Sequence, residues 1–375
     1  MRTIIVGASW ITKYFIADTL YNDSNFEQYI QVISPEPLEE FFSGFPKLQE
    51  FQGDERLSYI PFSPLDAIKQ GISLEGVDSI YYDSDETQGA QSFFEHIQSK
   101  GYDKRIVLAS TWEVYGWKGR SSVPIDPRDE CNPEIGLGAQ KLLQEQFLKQ
   151  SKLNYVILRF ATVFGPYMPH DHELVKMCTQ AMYGEDIVIT GIPSRWLDMV
   201  YITEVLPIIY KSLSMGGIDR QVFNVGGYHD LATPEQPKKN LVVNEKRITD
   251  IVRSMRHLMD STSPYTFEPG VNIPQGKGYH SQLDIETTQQ TFGYYPNFDS
   301  IKLSQFIWWV ESLVDKSRRR THDMEELYPS LDPKFMDKID VQKVGESMNI
   351  SQEQFNSQLE KAQTVARKDA KIEDL

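Results

Sequence analysis

Residues near the N-terminus have types and spacing that could bind a phosphate group. Gly7 ends a short apolar run, and Lys13 follows a few residues later. Glycine permits a tight strand-to-helix turn, and the backbone amides of the next helix can then approach an anion. Ser9 and Thr12 stand where further glycines would favour this role, so an ordinary turn with Ser9 as the helix cap stays open. The candidate cofactor contacts are Gly7, Ala8, Ser9, Ile11 and Thr12.

A second stretch joins a predicted strand to a predicted helix. The strand over 105–110 is followed by Thr111 and Glu113. In the helix, Leu137 and Lys141 are four residues apart and therefore share one face. Hydroxyl, carboxyl and ammonium groups of this kind can hold or transfer protons at a substrate oxygen.

These residues lie in a repeating strand–helix pattern. Most apolar runs are continuous, which predicts parallel strands covered on both faces. Right-handed crossovers then give an α/β fold, a doubly wound Rossmann-like sheet with its ligand crevice beyond the carboxyl ends of the strands. We expect this nucleotide-binding domain over 1–165, with 198–230 returning to it. Predicted strands cover residues 4–6, 29–34, 77–82, 105–110, 154–160, 186–191 and 221–227.

A smaller C-terminal substrate domain is predicted over 166–313. Its helical patterns include one that begins near Asn244 and an aromatic one around 303–310. The remainder, 314–375, reads as a charged extension without strand runs, in which Ser351 and a glutamine three residues later could cap a helix.

Composition excludes several classes of protein. The 375 residues carry 38 basic and 53 acidic side chains, a net charge of −15, and the one compact basic run is 318–320, so binding to nucleic acid is not expected. No apolar run approaches the ~20 residues that span a bilayer, and no secretory signal is apparent. Two cysteines, Cys131 and Cys178, suit a reducing cytoplasm. His170 and His172 have no third ligand to pair with, so we expect a solvated turn and no metal.

Five ordered motifs carry a resemblance to a known family. They are S-T-W-E-V-Y-G with I-G-L-G-A-Q-K (110–141), R-F-A-T-V-F-G-P (159–166), D-M-V-Y-I-T-E-V (198–205), F-N-V-G-G (223–227) and F-G-Y-Y-P (292–296). Together they resemble the extended short-chain dehydrogenase/reductase family, the NAD-dependent epimerases and dehydratases of nucleotide sugars.

The resemblance implies a catalytic site and also a defect in it. In active members a tyrosine exchanges a proton with the sugar, a lysine four residues later lowers the phenol's pKa and holds the ribose, and a serine or threonine binds the reacting oxygen. Thr111 and Lys141 match this pattern, with Lys141 also at the NAD or NADP cofactor, but Leu137 stands in place of the tyrosine. Leucine cannot transfer a proton, and no tyrosine lies between Tyr115 and Tyr155.

Other positions depart from the family in the same direction. Ser34 ends the second strand where an acid would bind ribose, and no arginine beside it favours NADP. Asp83 and Asp85 would repel a cofactor diphosphate, and Leu197 replaces a diphosphate-clamping arginine. Glu113 remains as a candidate catalytic acid. The substrate-contact candidates are Tyr115, Thr162 and Arg195. The first of these packs in most such folds, and the last is expected to be a satisfied surface residue.

Two functions stay open. We expect a catalytically impaired scaffold that binds a nucleotide sugar or a protein partner, because pocket substitutions accumulate when no transition state must be stabilised. The alternative is an active NAD(P)-dependent oxidoreductase, epimerase or dehydratase of a nucleotide sugar that uses Glu113 or Tyr115 as its acid or base. Family members pair through the helix of the lysine motif, so a homodimer or a protein partner could form through 138–150 or through the C-terminal extension.

Overall fold

The computed structural model describes most of the chain up to residue 314. The described residues are 1–23, 25, 27–116, 124–133, 136–191, 195–227, 247–268, 281–297 and 299–314. They fall in a single compact unit, Met1–Arg319. Within these ranges, no helix is both long and apolar enough to cross a membrane. The predicted cap at Ser351 lies outside the described residues.

The elements alternate between strands and helices. The strands are β1 (Arg2–Val6), β2 (Tyr29–Ile33), β3 (Leu57–Ile60), β4 (Ser79–Tyr82), β5 (Arg105–Thr111), β6 (Asn154–Phe160), β7 (Thr162–Phe164), β8 (Ile187–Thr190), β9 (Met199–Tyr201), β10 (Gln221–Val225) and β11 (Tyr265–Glu268). The helices are α1 (Trp10–Asn22), α2 (Leu38–Phe42), α3 (Pro46–Gln49), α4 (Pro64–Lys69), α5 (Thr87–Ser99), α6 (Leu137–Gln150), α7 (Glu173–Tyr183), α8 (Ile202–Ser214), α9 (Ile248–Leu258), α10 (Glu286–Phe292) and α11 (Ser300–Leu313).

Seven strands form one parallel sheet. Their order is β10-β6-β5-β4-β1-β2-β3, and every pairing within it is parallel. The direction of strand order reverses beside β1, which is the switch point where an open α/β sheet leaves a crevice. This doubly wound, Rossmann-like arrangement confirms the predicted fold class.

Apolar cores on both faces explain why the strands are continuous hydrophobic runs. In β1, Ile4, Ile5 and Val6 are all fully buried. Ile5 belongs to the core that includes Phe15 of α1, whereas Ile4 and Val6 belong to the core that includes Phe93 of α5. Burying one such side chain stabilises the fold by roughly 1.5–3 kcal/mol, so both faces select apolar residues.

The edge strand β3 is one of the strands that the sequence pattern missed; the others are the short strands β7, β9 and β11. The residues of β3 are half-buried or exposed, because it pairs only with β2 at the end of the sheet. Such a strand lacks the continuous apolar run that identifies the central strands.

Beyond β6, the chain builds a second region beside the sheet. The predicted strand over 186–191 is present as β8, which pairs in parallel with β11 in a separate two-stranded sheet. The helix predicted from Asn244 is described from Ile248, since Asn244 itself lies outside the described residues. Its buried face includes Ile251, Val252 and Met255, and α7, α9 and α11 pack on one another.

The edge strand β10 of the seven-stranded sheet is connected to distant parts of the chain by the side-chain amide of Asn224. Asn224 Nδ2 in β10 donates to the backbone oxygens of Ile125, at 2.8 Å, and Asp284, at 3.2 Å. Thr288 Oγ1 in α10 donates to the backbone oxygen of Asn224 at 2.6 Å. Residues after 281 therefore hydrogen-bond to the edge strand β10 at Asn224.

Candidate active site

The crevice begins at Gly7, directly after β1. Its φ of +101° favours glycine. A Cβ atom at this position would lie 2.6 Å from the carbonyl carbon and oxygen of Asp83. Because β1 and β4 are neighbours, the absence of a side chain lets the β1–α1 turn lie directly against the loop that follows β4.

A carboxylate of the chain itself lies at the start of α1. Ser9 caps the helix, accepting the amide hydrogen of Thr12 at 3.2 Å. The hydroxyls of Ser9 and Thr12 both donate to Asp83 Oδ2. Burial raises the pKa of Asp83, while the charge of Lys141 and the two hydroxyl hydrogen bonds act in the opposite direction. Ala8 and Ile11, the other predicted contacts of this turn, pack partly buried against the core.

The polar groups in the loop after β2 are engaged in local hydrogen bonds and an ion pair. Ser34 is buried and its Oγ accepts the amide hydrogen of Glu36 at 3.3 Å. The Glu36 carboxylate forms an ion pair with Lys13 at 2.7 Å. Lys13 is thereby directed to the β2 loop, although its place in the sequence would also suit a phosphate contact.

Thr111 and Glu113 organise a short 3-10 turn after β5. The turn spans Trp112–Tyr115, and Thr111 Oγ1 accepts the amide hydrogen of Glu113 at 3.3 Å. Burial raises the pKa of Glu113, and a hydrogen bond from the backbone amide of Gly138 opposes that rise. Glu113 therefore lies beside the first turn of α6, next to Leu137.

Leu137 is the first residue of α6 and is 37% exposed. One turn later, Lys141 is only 4% exposed, and its Nζ donates to the backbone oxygen of Ser84 at 3.1 Å. The same ammonium pairs with Asp85 at 3.0 Å. Gln144 also donates to the Ser84 carbonyl, at 2.9 Å. Both side chains therefore fasten α6 to the loop after β4.

Tyr115 is packed within the fold. It is 2% exposed, and its hydroxyl donates to Asn224 Oδ1. The Arg159 guanidinium lies over its ring at 4.7 Å. Burial raises the pKa of Tyr115 above its ordinary value even though Arg159 lowers it. A phenol that is so enclosed and so weakly acidic is poorly suited to exchange protons with a ligand.

A buried ion-pair network that the sequence motifs do not predict joins α6 to β6. Glu145 of α6 is fully buried and pairs with Arg159 of β6, which is 2% exposed. The carboxylate accepts hydrogen bonds from Arg159 Nε at 2.9 Å, Arg159 Nη2 at 2.7 Å, Ser110 Oγ at 2.7 Å and Lys149 Nζ at 2.8 Å. The presence of Arg159 in a predicted parallel strand could have indicated this network, because a charged side chain buried there needs a partner of opposite charge.

The predicted substrate contacts lie in different surroundings. Thr162 is half-buried in β7. Arg195 is 2% exposed, so the expected surface position is wrong, and it pairs with Glu173 at the start of α7 at 2.6 Å. Leu197 is also buried.

The two histidines of the loop before α7 have separate partners. His172 caps α7, its Nδ1 accepting the amide hydrogen of Leu174 at 3.2 Å. The ring of His170 lies 5.9 Å from that of Trp309. Among the described residues, no group of three or more histidine, cysteine or acidic side chains could hold a metal ion.

As they stand, the residues at the first turn of α1 do not fit a dinucleotide diphosphate. The two hydroxyls that could meet an anion are bound to Asp83. The nearest buried ammonium, Lys141, is bound to Ser84 and Asp85. An incoming diphosphate would meet a carboxylate where it needs donors.

Comparisons with known proteins match this fold to one family. The model of the NAD-dependent epimerase/dehydratase family matches residues 66–226. An uncharacterized protein of Methanocaldococcus jannaschii is 24% identical over 205 residues, which is 50% of this chain and 61% of that protein. An uncharacterized UDP-glucose epimerase of Bacillus subtilis is 24% identical over 251 residues, which is 60% of this chain and 77% of the relative. The resemblance predicted from the sequence is confirmed.

Solved structures share the fold. The UDP-glucuronic acid 4-epimerase of Bacillus cereus, in complex with UDP-glucuronic acid and NAD, has a TM-score of 0.66 at 20% identity and covers 84% of this chain and 100% of its own. The dTDP-glucose 4,6-dehydratase of Bacillus anthracis, in complex with NAD, has a TM-score of 0.68 at 18% identity and covers 83% of this chain and 97% of its own.

Proposed function

We propose that this chain, which resembles the NAD-dependent epimerase/dehydratase family over residues 66–226, binds a nucleotide sugar as a catalytically impaired scaffold. The observation that carries this proposal is the aliphatic side chain of Leu137 at the start of α6, one turn before Lys141. A positioned general acid or base contributes about 10²–10⁴-fold to rate. Leucine supplies none of this.

The hydrogen bonds that the other candidate groups make within the chain support the same function. Thr111 caps a turn, Lys141 fastens the β4 loop, and the Tyr115 hydroxyl is bound to Asn224. Each of these groups already makes a structural hydrogen bond within the chain. A site of this composition can recognise a ligand by shape and polar contacts without stabilising a transition state.

One observation favours a second candidate function, an active epimerase or dehydratase with a carboxyl as its proton-transfer group. Burial raises the pKa of Glu113, and its carboxylate accepts the Gly138 amide hydrogen beside Leu137. A carboxyl with a raised pKa is suited to act as an acid near neutral pH. In this alternative, Glu113 gives a proton to, or takes one from, a sugar hydroxyl.

Binding and turnover assays separate the two candidates. Calorimetric titrations with UDP-glucose, UDP-glucuronic acid and dTDP-glucose measure affinity, and chromatography of each nucleotide sugar after incubation with enzyme and NAD measures conversion. The scaffold function predicts binding of at least one nucleotide sugar without conversion. A bound ligand at 100 times its Kd should raise the unfolding free energy by about 2.7 kcal/mol.

The outcomes against the scaffold are equally specific. Conversion at about 1 s⁻¹ or faster, within the usual range of enzymes, would overturn it. If that conversion is lost in Glu113→Gln and kept in Glu39→Gln, a control at an exposed carboxyl, the second function is supported. If none of the three nucleotide sugars binds, both functions fail for this substrate class.

A further inference from the structure

The loop after β4 is held firmly against the first turn of α1. The amide of Asp83 donates to the backbone oxygen of Val6 at 2.7 Å. Gly7 leaves no room for a side chain, since its Cβ would lie within 2.7 Å of the backbone of Asp83 and Ser84. The contacts with β1 and Gly7 therefore fix the position of the Asp83 backbone, and with it the position from which the side chain extends.

From that point, the Asp83 carboxylate reaches the hydroxyls at the start of α1. Ser9 and Thr12 both donate to the same oxygen, Oδ2. The N-terminal turn of a helix is a favourable place for an anion, and a carboxylate there uses the field that would otherwise attract a phosphate. These two side chains stand at positions where glycines would favour a phosphate, and here they hold an internal anion.

The surrounding charges favour the internal anion over an external one. Lys141 pairs with Asp85 and donates to Ser84, so the same loop that brings the carboxylate also engages the crevice's buried ammonium. Lys13 is paired with Glu36. A diphosphate entering this turn would meet Asp83 at short range, where repulsion between like charges is strong.

We propose that Asp83 occupies the diphosphate position of this nucleotide crevice as an internal competitor, so that a dinucleotide binds only when the carboxylate is displaced. The inference rests on the proposed function in one respect, since it treats the crevice as a nucleotide site. It adds a specificity-determining residue that acts on the dinucleotide and not on the nucleotide sugar.

The test measures the affinity for NAD by isothermal titration calorimetry at pH 7. Asp83→Ala removes the carboxylate, and Asp83→Asn keeps its shape without the charge. Both variants should bind NAD about tenfold or more tightly than the unmodified chain, because a short-range repulsion is removed. Asp103→Asn is the control, since its carboxylate is exposed and lies before the amino end of β5, whereas Asp83 follows the carboxyl end of β4. This control should leave the affinity unchanged.

Two results would overturn the proposal. One is that Asp83→Asn, shown by circular dichroism to be folded, binds NAD no more tightly than the unmodified chain. The other needs no variant: a crystal structure of the unmodified chain soaked with NAD in which the diphosphate lies at α1 while Asp83 still binds Ser9 and Thr12.

A parallel titration with UDP-glucose keeps this inference separate from the proposed function. If NAD affinity rises in the Asp83 variants while no nucleotide sugar binds to any protein, the internal competitor stands and the scaffold function fails. If UDP-glucose binds to the unmodified chain and NAD affinity does not change in the variants, the scaffold function stands and the internal competitor fails.

Discussion

Removing the carboxylate of Glu145 should strongly destabilise the fold, because it leaves a buried guanidinium without its charge partner. In Glu145→Ala, Arg159 would retain the backbone oxygen of Pro127 at 3.0 Å and the ring of Tyr115. Breaking a buried ion pair from one side costs about 3–5 kcal/mol. Since a folded domain is stable by about 5–15 kcal/mol, this is a large share of the total.

Urea unfolding followed by circular dichroism measures this loss, and a thermal scan should show a fall in Tm of roughly 4–8 °C. Lys149→Met is the matched control, since Lys149 contacts the same carboxylate from a position 35% exposed. Its cost should be about 1 kcal/mol or less. A double variant, Glu145→Met with Arg159→Met, should recover part of the loss because it removes both charges. A loss under about 1 kcal/mol in Glu145→Ala would refute the reasoning.

Three further predictions concern backbone space, a buried hydroxyl and pH. Gly7→Ala should cost about 2–4 kcal/mol in urea unfolding, because its φ is positive and its Cβ would lie 2.6 Å from Asp83; a cost below 1 kcal/mol would contradict the close approach. Tyr115→Phe should cost about 1–3 kcal/mol, because it removes the donor to Asn224, without weakening nucleotide-sugar binding; weaker binding at unchanged stability would contradict a packing role. Burial opposes ionisation of Glu145, but Arg159 and Lys149 outweigh it and lower its pKa below 4.5. The stability this carboxylate contributes should therefore be complete above about pH 4.5 and fall as the pH drops through the folded-state pKa, so the gap in unfolding free energy to Glu145→Ala should narrow below pH 4.5 in a urea series and not between pH 7 and 5.

The central strands could be predicted from the sequence because burial on two faces requires a continuous run of apolar residues. Each residue of β1 from Ile4 to Val6 contacts an apolar core, so the whole run is hydrophobic. The edge strand β3 lacks such an apolar run, since it pairs with only one neighbouring strand, β2. Pairing of β8 with β11 also left no signal, because it joins segments about 80 residues apart.

The sequence could identify the residues of the candidate site, but it could not predict which hydrogen bonds and ion pairs their side chains make. The motifs identified Thr111, Lys141 and the leucine at 137, and the acidic residues after β4 were expected to repel a diphosphate. The direction of the Asp83 side chain depends on the contact between the β1 and β4 ends, which is a property of the assembled sheet. The ion pair of the buried Arg195 likewise joins it to Glu173, which lies more than twenty residues earlier in the chain.

The amide of Asn224 has a consequence for synthesis on the ribosome. β10 is synthesised before Asp284, which is 60 residues further along the chain. Until then, the nascent sheet has a strand whose side-chain donor lacks one of its two backbone acceptors. All seven strands of the sheet are translated by Val225, but the full hydrogen bonding of Asn224 must wait for residues that are translated later.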